Sequence, residues 1–286
     1  MRRIMLTGAG GQLGTDVVAT ATARGDVELI SATRAQLDIT NAPAVREAIR
    51  VAEPDVIVHA AAYTAVDDCE SNESLAFEVN AVGTSNVVAA AREVGARLIY
   101  VSTDYVFDGT KPEAYLEHDR PSPASVYGRS KLAGEIAVAE LGERGLIVRT
   151  SWVCGANGSN MVKTILRAAE KYPRLTFVDD QRGKPTFTID LADALLTLAQ
   201  RDDAGVMHVT NEGEVSWFEF CQDVLRFADL DPARVLPCTT DELQPPRPAP
   251  RPANSVLANT RFGEIGLPLL RDYRLPLEET IRDLTS

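Results

Sequence analysis

Apolar runs of four or five residues recur along this chain at 3–7, 27–31, 56–59, 98–102 and 146–150, and helix-periodic stretches at 12–23, 43–52, 73–94 and 126–142 separate them. Continuous apolar runs of that length suit strands buried on both faces, and their alternation with helices predicts βαβ units joined into a parallel sheet. The expected fold is α/β, a doubly wound parallel sheet of Rossmann-like type, with ligands beyond the carboxyl ends of the strands.

After residue 150 the alternation weakens. Residues 152–158 read as loop, 160–171 as helix, and 175–178 as a short strand ending in Asp179 and Asp180. A helix near 190–200 and a strand at 206–210 return to the sheet. Ser216 and Glu219 have the spacing of a capping box, in which a helix-start hydroxyl and a carboxylate three residues on satisfy each other's backbone donors. Five prolines between 245 and 252 exclude helix interior and central strand. A short helix at 277–284 closes the chain. The predicted division is a dinucleotide-binding domain of 1–150 plus about 187–210, and a smaller substrate lobe of about 151–186 plus 211–286.

Composition narrows the function classes. At 286 residues the chain can bury a substantial core, and a net charge of −12 argues against nucleic-acid or anionic-membrane partners, which call for a basic face. Cys69, Cys154, Cys221 and Cys238 are far apart and form no metal-like pairs, which fits reduced thiols in a cytoplasmic protein. The basic start reads as a first strand, because glycines interrupt its apolar run. No run of about 20 apolar residues is present for a membrane span.

Chemistry concentrates at the strand ends. The first strand enters a glycine turn, Gly8, Gly10, Gly11 and Gly14, followed at once by a helix. That order brings backbone N–H groups and a helix N-terminus to a pyrophosphate, so it marks dinucleotide binding where the glycines alone would mark only a tight turn. The third strand runs into Ala60, Ala61, Ala62, Tyr63 and Thr64, small enough for close cofactor approach, and the fourth into Thr103, Asp104 and Tyr105. His59 ends an apolar strand and reads as a hydrogen-bonded structural residue. On the helix at 126–142, Tyr127 and Lys131 are four residues apart and share a face. Alone, that is the spacing of an ordinary surface pair. As a catalytic pair, the ammonium would help a phenol of ordinary pKa near 10 to act near neutrality.

Taken together, GAGGQLG at 8–14, LDIT at 37–40, HAAAYTAVDDCE at 59–70, VNAVGTSN at 79–86, STDYVFDG at 102–109, YGRSKLAGE at 127–135, RTSWV at 149–153, DDQRGKPT at 179–186 and RPANSVL at 251–257 resemble the extended short-chain dehydrogenase/reductases, and within them the dTDP-4-dehydrorhamnose reductases. The resemblance implies hydride transfer from NADPH or NADH to the C4 ketone of a dTDP-sugar. It implies Tyr127 as proton donor, Lys131 on the nicotinamide ribose, Thr103 on the substrate carbonyl, and Asp104 and Trp152 against the sugar. For Trp152, core packing is the reading the residue alone would favour. Gly11, Gln12 and Leu13 would meet the pyrophosphate, Gly8 and Gly14 belong to the same cofactor-binding turn, Asp38 and Ile39 would meet the adenine, and Ala62, Tyr63 and Thr64 the adjoining part of the cofactor.

At the end of the second strand Ser31, Ala32, Thr33 and Arg34 include no acid to exclude a 2′-phosphate, and Arg34 could pair with one. Some relatives are described with magnesium at a dimer contact. Asp16 and Asp190 lie in comparable stretches, yet their spacing forms no site, so Mg2+ is unsupported and no metal residue is assigned. A homodimer is compatible with the sequence, which leaves oligomeric state open.

Rival readings share the fold. Dehydratases resemble a TDEVYG pattern in which adjacent Asp and Glu supply acid and base, whereas Tyr105 stands here in the glutamate's place. That favours ketone reduction over dehydration but leaves an epimerase open. A noncatalytic regulatory subunit, like that of methionine adenosyltransferase, also resembles this family.

Overall fold

The computed structural model describes residues 1–285. In chain order the elements that position the site are β1 (Arg2–Thr7), α1 (Gln12–Arg24), β2 (Val27–Ala32), α2 (Ala42–Ala52), β3 (Val56–His59), α3 (Val66–Ser71), α4 (Thr84–Val94), β4 (Arg97–Thr103), α5 (Val126–Ala139) and β5 (Gly145–Thr150). They continue as α6 (Met161–Lys171), β6 (Leu175–Val178), α7 (Thr188–Ala199), β7 (Gly205–His208), α8 (Trp217–Phe227), β8 (Val235–Cys238) and α9 (Arg274–Thr285).

Six strands form one parallel sheet in the order β7-β5-β4-β3-β1-β2. The strand order reverses between β1 and β3, so a crevice opens beyond their carboxyl ends, where nucleotides bind in this architecture. One face is covered by α1 and α7 through Val17, Ala21, Leu191, Leu195 and Leu198, and the other by α2, α4 and α5 through Val45, Ile49, Val87, Val88 and Val138. Each Val, Leu or Ile among them contributes about 1.5–3 kcal/mol on burial. The apolar runs are uninterrupted because both faces of the sheet are packed. A third core, including Val162, Ile165, Phe187, Phe220, Val224, Tyr273 and Ile281, lies among the elements after β5. There β6 pairs in parallel with β8.

The structure refines several sequence expectations. The stretch at 73–94 is not one regular helix: Glu73–Phe77 is α-helical, Glu78–Gly83 is a π-helical segment, and α4 follows. Such widened turns occur often at functional sites. Helix α3 was not legible as periodicity in six residues, four of them polar or charged. The capping box at Ser216 is formed, with both reciprocal hydrogen bonds. The proline segment is loop, and it is held to α3 by Arg251, whose guanidinium meets both oxygens of Asp67 at 2.9 and 2.8 Å, and by the Ala249 N–H. No helix among the described residues is long and apolar enough to cross a membrane.

Candidate active site

The glycine turn is shaped by contact as much as by conformation. Gly8 has φ 78°, and a Cβ there would lie 2.7 Å from the Ala61 nitrogen; at Gly14 one would lie 2.2 Å from the Gly8 oxygen. Larger residues would push α1 away from the ends of β1 and β3. Gly11 occupies the N-cap of α1 without a side-chain cap, which leaves the first-turn N–H groups to a ligand.

Two adjoining cavities share Gly8, Gly11, Ala60 and Ala62. The first, about 440 Å³, adds Arg34, Asp38, Ile39, Tyr63, Thr33 and Leu37. The second, about 420 Å³, adds Gln12, Leu13, Gly14, Thr64, Thr103, Asp104, Tyr127, Lys131 and Trp152. Every residue expected from the sequence to meet cofactor or substrate therefore lines one of two adjoining cavities across the β1/β3 switch.

Helix α5 enters the site through a tight fit. The Ser125 hydroxyl caps it by accepting from the Gly128 N–H at 3.1 Å, and a Cβ at Gly128 would lie 2.1 Å from the Tyr105 oxygen. Glycine there lets the helix press onto the turn after β4 and brings Tyr127 beside Thr103. Tyr127 packs edge-on against Tyr105, with ring centroids 5.6 Å apart. Burial pushes the Tyr127 phenol well above its ordinary value, and the neighbouring Asp104 charge adds to that shift. This differs from the lowering expected from the Tyr/Lys spacing. The reason is that both groups are buried: the Lys131 ammonium is itself pushed down to about 7 by desolvation, opposed by Glu135. Lys131 Nζ donates to the Val101 carbonyl at 2.8 Å and stands 4.0 Å over the Tyr100 ring.

Thr103 Oγ1 donates to Asp104 Oδ1 at 2.9 Å. Asp104 is 2% exposed, its carboxyl is raised to about 6 by burial against the opposing effect of the nearby Ser255 hydroxyl, and Oδ2 makes no hydrogen bond of ordinary geometry. An unsatisfied buried acceptor on a cavity wall fits a hydroxyl-bearing ligand.

Trp152 lies across the crevice with φ 47°, a left-handed conformation rare for a bulky side chain. Its ring stacks on Trp217, 3.6 Å between centroids, and covers Gly183, where a Cβ would lie 2.5 Å from the indole. The core-packing reading of Trp152 holds for its stacked ring, and the residue also lines the cavity.

A hydrogen-bond chain connects the turn after β3 to α5. Asn80, in the π-helical segment, accepts from the Tyr63 N–H and donates to the Tyr63 backbone carbonyl and to Ser130 Oγ, and Ser130 Oγ donates to the Tyr127 backbone carbonyl. Thr84 Oγ1 donates to the Asn80 oxygen, so its lone pairs receive His59 Nε2–H, and His59 Nδ1 accepts from Thr7. Burial lowers His59 to about 3 and keeps it neutral. It is a structural link, as its place at a strand end suggested.

Sequence reasoning did not single out Trp217, Val66, Ser159 or Asn80 as parts of the site. Trp217 directly follows the helix cap at Ser216, and Asn80 lies within the motif at 79–86. Asp16 and Asp190 lie apart in function: Asp16 accepts from Asn157, and Asp190 from Asn211 and Arg271. No group of three or more His, Cys, Asp or Glu side chains arranged to hold a metal occurs among the described residues.

Comparison with known proteins adds relatives of nearly full length. The family model described as RmlD substrate binding domain matches residues 1–286. The chain is 44% identical over 281 residues to a dTDP-4-dehydrorhamnose reductase of Mycobacterium tuberculosis, covering 96% of this chain and 91% of that protein. It is similar to the crystal structure of a dTDP-4-dehydrorhamnose reductase from Clostridium acetobutylicum, with a TM-score of 0.95, 40% identity, and 99% and 100% of the two chains covered. It is likewise similar to a Bacillus anthracis dTDP-4-dehydrorhamnose reductase solved in complex with NADP, with a TM-score of 0.93, 37% identity, and 99% of each chain covered.

Proposed function

We propose, since the chain belongs to the RmlD substrate binding domain family, that it is an NAD(P)H-dependent dTDP-4-dehydrorhamnose reductase. It reduces the C4 ketone of dTDP-4-dehydro-6-deoxy-L-mannose to dTDP-L-rhamnose. The observation that carries the assignment of roles is that Tyr127, Thr103 and Lys131 meet in one cavity with the glycine turn on one side and Trp152 on the other.

The crevice fits a dinucleotide: its floor is glycine backbone that a Cβ would obstruct, and α1 presents uncapped N–H groups to a pyrophosphate. NADPH or NADH, when bound, supplies the hydride that reaches C4. Gly11, Gln12 and Leu13 hold the pyrophosphate, Asp38 and Ile39 the adenine, and Ala62, Tyr63 and Thr64 the connecting part, while Arg34 at the open end of β2 meets a 2′-phosphate. Lys131 donates to the nicotinamide ribose hydroxyls.

Tyr127 gives its proton to the C4 oxygen as negative charge develops there, and Thr103 donates a hydrogen bond to the same oxygen. The raised phenol suits this direction, because it keeps the donor protonated before reaction. Asp104 Oδ2 accepts from a sugar hydroxyl, and Trp152 supports the sugar ring. The nucleotide-binding domain is 1–150 plus about 187–210, and the sugar lobe is about 151–186 plus 211–286. The acidic charge argues against nucleic-acid and anionic-membrane partners, and the four free cysteines fit a cytoplasmic enzyme. Sedimentation of the purified chain reads whether it is a homodimer.

The test is oxidation of NADPH, followed by absorbance, with dTDP-4-dehydro-6-deoxy-L-mannose as substrate and the product identified as dTDP-L-rhamnose. Absence of turnover with this and related keto-sugars, together with tight binding to another protein, would replace the enzyme with a binding subunit.

A further inference from the structure

The catalytic helix carries a second buried charge, one turn beyond Lys131, that the reaction leaves without a task. Glu135 is 3% exposed, and both of its oxygens are engaged. Ser102 Oγ donates to Oε1 at 2.5 Å, Arg149 Nε to Oε1 at 2.9 Å, and Arg149 Nη2 to Oε2 at 2.7 Å. Arg149 is equally buried, its guanidinium lies 5.1 Å from the Phe107 ring centre, and its Nη1 has no partner. Desolvating two charges costs about as much as their attraction returns, and well-packed apolar residues often serve stability as well or better. Stability is therefore a weak reason for this pair.

Its position supplies a better one. Lys131 and Glu135 are i and i+4 on α5, and they contact consecutive residues of β4: Lys131 Nζ donates to the Val101 carbonyl, and Glu135 accepts from Ser102. The titratable groups around the ammonium are Tyr127 and Glu135 on α5, Tyr100 on β4, and His59 on β3, which burial keeps neutral. Both tyrosines are uncharged near neutrality, because burial raises them. Glu135 is thus the negative charge that acts on Lys131, and it opposes the desolvation that would strip the lysine's proton.

We propose that Glu135, fixed by Arg149 and Ser102, is a positioning residue for the reduction, keeping the buried Lys131 charged and seated against β4 so that its N–H groups serve the cofactor ribose. Arg149 holds the carboxylate in place through two hydrogen bonds. This inference rests on the reductase reading for its kinetic readout, but NADPH binding tests it without turnover.

The experiment compares the full-length protein with Glu135→Gln and with the paired apolar replacement Glu135→Leu with Arg149→Met, which leaves no unpaired charge behind. Thermal melts confirm folding. NADPH affinity by fluorescence titration and kcat/KM for the keto-sugar are measured from pH 5.5 to 9. Both variants should bind NADPH with near parental affinity at pH 5.5 but about tenfold more weakly at pH 8. The basic limb of kcat/KM should move about one pH unit lower. Folded variants whose NADPH affinity and basic limb follow the parent across the range would overturn the proposal, as would equal losses at every pH, which indicate a structural role alone. If the parent binds NADPH but turns over no keto-sugar, the reductase reading fails and the binding profiles still decide the role of Glu135.

Discussion

Trp152 and Trp217 stack nearly parallel, with planes 5° apart and centroids 3.6 Å apart, and both line the cavity that Tyr127 also lines. Trp152 follows β5 by two residues, whereas Trp217 opens α8 under a capping box. The Trp152 indole is therefore fixed by a helix that lies far from it in sequence. Its left-handed backbone conformation persists because Trp217 and the bare backbone of Gly183 over-determine the ring's place.

Trp217→Ala should then act through Trp152. An aromatic pair contributes about 0.5–1.5 kcal/mol beyond its buried area, so KM for the keto-sugar should rise about two- to tenfold while KM for NADPH stays level. Steady-state kinetics in both substrates checks this. A rise confined to NADPH would place the stack in the wrong subsite.

Asp104 ties function to a pH-dependent cost. Its carboxyl is raised in the folded protein to about 6, so the stability it contributes is complete below its ordinary value of 3.8 and is lost as pH climbs through about 6. Above that pH the fold carries a buried charge with one unpartnered oxygen. Asp104→Asn should be more stable than the parent at pH 8, by up to about 3 kcal/mol, with the gap closing toward pH 4. Its kcat/KM should fall, because the amide presents a donor where a sugar hydroxyl needs an acceptor. Urea unfolding at the two pH values measures the gap, and a gap independent of pH would contradict a buried titrating carboxyl.

The sheet and its helices were legible because strands buried on both faces are uninterrupted apolar runs, and the glycine turn declared its ligand by its place between β1 and α1. The site residues at strand ends followed from the same rule, joined to the family motifs. Asn80, Glu135 and Trp217 were not legible as site residues. Each acts through partners distant in sequence, as Asn80 does in linking Tyr63 to Ser130. Nothing local separates Glu135 from the solvent-facing glutamates of a helix until Arg149 is seen beneath it. The Tyr127 shift was misjudged for a related reason: spacing shows that a cation is near, but burial decides which way a phenol moves.

Arg34 is exposed and lines the cavity that also holds Asp38, on which its charge acts. A hydrogen bond to a charged group contributes about 1.5–3 kcal/mol. Arg34→Ala should lower kcat/KM with NADPH about tenfold or more and leave the value with NADH nearly unchanged. The ratio of the two values is the measurement, and an unchanged ratio would remove Arg34 from cofactor selection.

Tyr127→Phe keeps the ring that packs on Tyr105 and removes only the hydroxyl. General acid catalysis contributes about 10²–10⁴-fold, so kcat should fall within that range, while NADPH affinity changes little because Lys131 and the glycine turn are untouched. The raised phenol adds a pH signature: the parent should keep Tyr127 protonated through pH 9, so any basic limb below that pH belongs to Lys131, whose ammonium is pushed down to about 7. The residual rate of Tyr127→Phe should therefore show the same basic limb as the parent, reduced in height. A limb that disappears with the hydroxyl would assign it to Tyr127 and overturn this division of roles between the two residues.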